Sequence, residues 1–114
     1  MPISNKKYLQ RIIKKYDLIP YDIVPRDVYK PKPTGLIEFN GGLIKLDYRG
    51  FWLCELNPTY EPNYKCVTVF NYVYTSRQDL HKNIKKILKV YNESNLKAKQ
   101  LQLQSKLKRI EKDF

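Results

Sequence analysis

Apolar residues recur along this chain with two different periods, and the changes of period divide it into three parts. In the first part Leu9, Ile12, Ile13 and Tyr16 share one face at helical spacing, while Lys7, Arg11, Lys14 and Lys15 share the opposite one. The spacing predicts a helix over 5–17. Ser4 is placed to cap it, because its hydroxyl can accept from an orphan amide of the first turn. Pro20 ends it. Residues 18–35 carry Pro20, Pro25, Pro31 and Pro33, which favour extended backbone. The same stretch holds Ile19, Tyr21, Ile23, Val24, Val28 and Tyr29, too much apolar surface for a free linker. It is expected to lie against the core.

The middle part alternates with period two. It predicts strands over 36–40, 43–48, 51–57 and 64–74, joined by Gly41-Gly42, by Arg49-Gly50 and by a longer loop over 58–63. Read as a meander, these turns put Phe39 opposite Ile44, Tyr48 opposite Phe51 and Leu53 opposite Val67. One face then collects Ile37, Phe39, Ile44, Leu46, Tyr48, Phe51, Leu53, Val67, Val69 and Val73. Glu38 faces Lys45 and Glu55 faces Lys65, opposite charges directly across from one another.

In the last part the helical period returns. Ser76 with Asp79 approximates a capping box, and Leu80, Ile84, Ile87, Leu88 and Tyr91 form an apolar stripe. Lys82, Lys85, Lys86 and Lys89 lie nearly opposite. Asn92-Glu93-Ser94-Asn95 interrupts the pattern and suggests a new helix start. Beyond it Leu96, Leu103, Leu107, Ile110 and Phe114 repeat at heptad-like spacing, with Gln100 in one seam position. The predicted architecture is α+β: an N-terminal helix, a four-stranded antiparallel meander and a C-terminal helix with a helical extension. Residues 1–92 form one compact domain. Residues 93–114 form a basic helical or coiled-coil-like tail, a candidate for self-association through 96–114.

Charge sharpens this picture. The chain of 114 residues has a formal net charge of +11, and it is unevenly placed. Residues 1–35 carry +5, residues 36–75 carry −1 and residues 76–114 carry +7. A nearly neutral sheet is flanked by basic helices, which points to a polyanion or an acidic protein surface as partner. Part of the excess has a plainer source. Lys, Asn, Ile and Tyr are encoded by AT-rich codons, and the 10 Tyr of this chain fit that composition.

Candidate chemistry is confined to binding. The nucleic-acid-binding candidates are Lys7, Arg11, Lys14, Lys15, Lys82, Lys85, Lys86 and Lys89, against the plainer reading of solvated helix faces. Candidates for partner contact are Trp52, Tyr60, Tyr64, Phe70, Tyr72 and Tyr74 on the second sheet face and its Pro/Tyr loop, and Leu103, Leu107 and Ile110 on the tail. Burial under a helix or under 18–35 is the competing account of that aromatic face. Cys54 and Cys66 are expected opposite each other as buried thiols. His81 is alone, no carboxylates stand at a catalytic spacing and no glycine-rich phosphate loop occurs. No enzymatic activity, cofactor or metal is therefore expected. No run of apolar residues reaches membrane-spanning length and no leader-like segment opens the chain, so the expected location is cytoplasmic. The expected function is that of a small basic nucleic-acid-binding protein, DNA or RNA, of the kind a phage or mobile element encodes. The alternative is a protein-interaction module: an inhibitor, an adaptor or an assembly subunit.

Overall fold

A computed structural model describes residues 3–21, 27–33, 35–57 and 66–112. Helix α1 spans Asn5–Tyr16, with Ser4 Oγ accepting from the Lys7 amide at 3.2 Å. Its end comes before the proline. Asp17 adopts a left-handed conformation (φ 54°) and its amide returns to the Ile13 carbonyl, closing the last turn. Strands β1 (Leu18–Pro20) and β2 (Asp27–Pro31) follow, then β3 (Glu38–Asn40), β4 (Ile44–Asp47), β5 (Gly50–Asn57) and β6 (Cys66–Thr75). Helix α2 runs unbroken over Arg77–Lys112.

The architecture is α+β, as expected, but the sheet is not a four-stranded meander. It has six strands in the order β1-β2-β4-β5-β6-β3, and β3 pairs parallel to β6. The described residues of the segment 18–35 supply two of these strands, of which β2 pairs with β4, while Ile23 and Val24 lie outside the described residues. The place opposite β4 that the meander would have given to β3 is thereby taken.

Gly41-Gly42 is accordingly no hairpin turn. The chain crosses there from the β6 edge to the interior of the curled sheet. Gly41 has φ 124°, and a Cβ on Gly42 would stand 2.2 Å from Val28 Cγ1. The glycines serve a close crossing that any side chain would block. The Gly42 amide donates to Tyr72 Oη at 3.2 Å. The curl brings Tyr21 and Lys30 to one wall of a cleft of about 440 Å³ and Phe39, Val69 and Tyr72 to another.

The remaining registers also move. Leu46 faces Phe51 and Ile44 faces Leu53, so Tyr48 and Arg49 form the turn and the pairing is displaced by two residues. Leu53 faces Val73 in place of Val67, and an irregularity follows between Glu55 and Leu56. As far as Glu55 the displacements are even and leave each side chain on its face, while beyond the irregularity Leu56 faces Val69, an odd displacement that the irregularity absorbs. Ile37, Phe39, Ile44, Phe51, Leu53 and Val67 are buried with Leu9 and Ile12 of α1 and Leu80, Ile84 and Tyr91 of α2. Tyr48 leaves the set at 95% exposure because it sits in the turn, and Val73 is exposed too. Cys54 lies opposite Tyr72, not Cys66. Both thiols are free, Cys54 buried and Cys66 half-buried. Burial pushes the Cys54 thiol up to about 12. The expected charge pair Glu38–Lys45 is lost with the hairpin, since Glu38 faces Cys66. Glu55 faces Asn71, and Lys65 lies outside the described residues.

The run 92–95 does not interrupt α2. Asn95 is buried on the sheet-facing side, and its Oδ1 accepts from the Ile37 amide at 2.8 Å. Tyr91 Oη donates to the Ile37 carbonyl at 2.9 Å. Two polar side chains of the helix thus satisfy the backbone just ahead of the edge strand β3, where sheet partners are missing. Ser94 Oγ donates to the Val90 carbonyl four residues back, a bond compatible with a continuous helix.

Candidate nucleic-acid interface

The two cationic stripes are built by the same logic on different helices. On α1 the burial of Leu9 and Ile12 turns Lys7, Arg11, Lys14 and Lys15 outward. On α2 the burial of Leu80 and Ile84 does the same for Lys82, Lys85, Lys86 and Lys89. All eight side chains are exposed. Among the described residues the only ion pairs are Lys32–Asp17 and Arg49–Asp47, and neither involves any of the eight.

The helices meet along a polar and aromatic seam. Arg77 Nε donates to Asn5 Oδ1 at 2.8 Å, and its guanidinium lies 5.1 Å from the centre of the Tyr8 ring. Tyr8 packs edge-on against both Phe51 and His81. Tyr16 Oη and His81 Nδ1 share a hydrogen bond of 2.8 Å. Burial pulls the imidazole below its ordinary value, and the charges of Lys15 and Lys85 push it the same way. In one tautomer the neutral imidazole accepts the Tyr16 hydroxyl proton at Nδ1, and in the other its Nδ1–H donates to the Tyr16 oxygen. Burial, and then Tyr8, raise the Tyr16 hydroxyl, which keeps it protonated.

His81 therefore marks where the stripes adjoin. Lys15 Nζ lies 5.7 Å from the centre of the Tyr16 ring that bonds His81, Lys85 follows His81 one turn along α2, and both charges act on the imidazole. At 100° per residue, Lys7, Arg11 and Lys14 continue the charge over the outer side of α1, and Lys82, Lys86 and Lys89 over that of α2. The sequence shows two stripes but not their junction. Tyr16 and His81 stand 65 residues apart, and no spacing rule connects them.

Among the described residues the partner-contact candidates fall into two separate groups, the sheet aromatics, of which Trp52 and Tyr74 pack edge-on at 5.7 Å, and the leucines of far α2. By register Trp52, Tyr72 and Tyr74 share the sheet face opposite the one that α1 and α2 cover. Neither helix nor the β1–β2 hairpin buries that face completely. Trp52 and Tyr72 are half-buried, while Phe70 and Tyr74 are exposed. Arg49 stacks over Trp52 at 4.7 Å, and Trp52 Nε1 donates to Asp47 Oδ1 at 3.1 Å. Burial pushes the Asp47 carboxyl up, but the hydrogen bonds from Trp52 and Arg49 and the Arg49 charge outweigh it and hold it below the usual carboxylate range. Arg49 joins this patch only through the shifted turn, so the meander register hides it. Leu103 and Leu107 stand on the far part of α2, at 60% and 59% exposure. Tyr60, Tyr64 and the loop over 58–63 lie outside the described residues, as does the side chain of Ile110.

Among the described residues no cluster of three His, Cys, Asp or Glu could hold a metal ion. Among them, no helix is long and apolar enough to cross a membrane. Comparison with protein-family models, with curated proteins and with solved structures finds no match to this chain.

Proposed function

We propose that this protein is a non-enzymatic binder of nucleic acid, contacting the phosphate backbone through the joined outer faces of α1 and α2. The observation that carries this reading is the seam at His81. It unites two cationic stripes, distant in sequence, into one exposed surface of eight Lys and Arg without internal ion-pair partners among the described residues. Such a surface gains affinity by releasing condensed counterions, a gain that grows with each phosphate neutralised and falls with added salt. Nothing on it resembles a base-reading device. The expected binding is dominated by the backbone and tolerant of sequence.

The test is fluorescence anisotropy with DNA and RNA probes over a salt series, comparing the wild type with the double variant Lys15→Glu and Lys85→Glu. Binding near physiological salt is expected for the wild type. Each duplex phosphate contact contributes about 0.9 to the logarithmic salt slope, so the variant should lose roughly two from that slope. Equal affinity and slope for the two proteins would remove the seam from the interface. Wild-type binding confined to low salt would reduce the surface to general cationic attraction and overturn the reading.

A further inference from the structure

The far part of α2 leaves the sheet. Among the described side chains Ala98 is its last buried one, and Lys99 through Arg109 are all exposed. On this projecting stretch Leu96, Leu103 and Leu107 are each more than half exposed. They lie on one face, roughly 140° around the helix from the Leu80–Ile84–Tyr91 side that packs on the sheet. The stripe therefore has no use inside the fold. Its spacings, with Gln100 between, are those of alternating d and a positions in a heptad, and the sequence continues them to Ile110.

Followed backwards, the same seam positions hold Glu93, Lys89, Lys86 and Lys82. The leucine stripe and the cationic stripe are thus consecutive lengths of one helix face. A parallel pairing of two copies would bring the lysines of one against those of the other along the common seam. An antiparallel pairing would not. It sets Leu103 of each copy against Leu107 of the other and carries the two cationic stretches to opposite ends. The flanking positions agree, because Lys97 of one copy then falls beside Glu111 of the other, twice by symmetry. Lys106 meets its own counterpart, the one like-charge pair among the described backbone positions.

We propose that the projecting end of α2 docks onto a second copy of this chain, forming an antiparallel two-helix coil centred on Leu103 and Leu107. The proposal stands independently of the nucleic-acid reading. The overlap is under three heptads and contains Gln100, so the dimer is weak. A dissociation constant of about 10–100 µM corresponds to burying a few leucines against the entropy of association.

Sedimentation velocity of the full chain across a concentration series tests this. The expected mass rises from the 13.7 kDa of the chain toward twice that value. Leu103→Asp with Leu107→Asp should abolish the rise with unchanged circular dichroism, since both positions are exposed in the monomer. Lys97→Glu should weaken the dimer roughly five-fold by turning two attractions into repulsions, and adding Glu111→Lys should restore it. In a parallel coil Lys97 would neighbour the uncharged Asn92 of the other copy, so Lys97→Glu would do nothing. A wild type that stays monomeric at millimolar concentration, a leucine variant that still dimerises, or a neutral Lys97→Glu would each overturn the proposal.

Discussion

Single residues in this fold carry roles that their sequence neighbours do not announce. His81, isolated in the sequence, is hydrogen-bonded to Tyr16 and pressed by Lys15 and Lys85. Its folded value is depressed, so the neutral imidazole is favoured and the unfolded chain takes up the proton first. Stability from this site is full above the ordinary histidine value of about 6.5 and is lost as pH falls from there through the lowered folded value. NMR titration of the imidazole should place its midpoint below that of a model peptide. Bound nucleic acid would bring phosphates beside Lys15 and Lys85 and reverse their effect, so the midpoint should rise in the complex. A midpoint unmoved by saturating nucleic acid would place the phosphates elsewhere. Asn95 teaches a similar lesson. Its polarity suggests a helix cap, whereas it serves the Ile37 amide across the fold.

At the scale of elements, local pattern and tertiary demand agree for the helices and diverge for the sheet. Helix α1 is legible because its cap, its apolar spacing and its cationic face all lie within sixteen residues. Helix α2 is legible in its first half, but 92–95 reads as a break, since Asn and Ser compete for backbone partners in water. In the fold Asn95 Oδ1 accepts from the Ile37 amide and Ser94 Oγ donates to the Val90 carbonyl of its own helix, and the helix continues. A proline at the exposed Glu93 distinguishes the two cases. In two separate helices it would fall in a connection and be tolerated. In the continuous helix it removes the bond to the Lys89 carbonyl and clashes with it, a cost of about 3 kcal/mol or more. Urea denaturation of Glu93→Pro, with helicity followed by circular dichroism, should show that loss. The strands were legible as apolar alternation, and their faces survive displacements of even number. Partner choice was not legible, because Gly41-Gly42 satisfies a hairpin as readily as a crossing.

For the molecule as a whole, the projecting helix sets the dimensions. The Cα radius of gyration is 17.1 Å, with extents of 68 × 22 × 22 Å. A compact chain of this length would have a radius near 13 Å. The excess lies in the end of α2, whose exposed residues contribute little to the core. Truncation after Gln100 should therefore leave the unfolding free energy of the monomer within about 1 kcal/mol of the full chain, by urea denaturation at low concentration. A larger loss would mean that the projecting stretch supports the body of the fold. The same division separates the two proposals: phosphate contact is assigned to the α1–α2 surface and self-association to the far end of α2.

Periodicity and charge in the chain were sufficient for the α+β class, α1 with its cap, the apolar face of the sheet, and the cationic and leucine stripes. These are local properties, written within a few turns of helix or along one strand, where neighbouring residues alone decide which side meets water. Strand order, the parallel β3–β6 edge, the Tyr16–His81 junction and the burial of Asn95 belong to the folded molecule. Each depends on a contact between residues far apart in the chain, where several pairings keep the same faces buried. The choice among them is made by which strands occupy the β4 edge and how closely the chain at Gly42 can pass the Val28 and Tyr72 side chains.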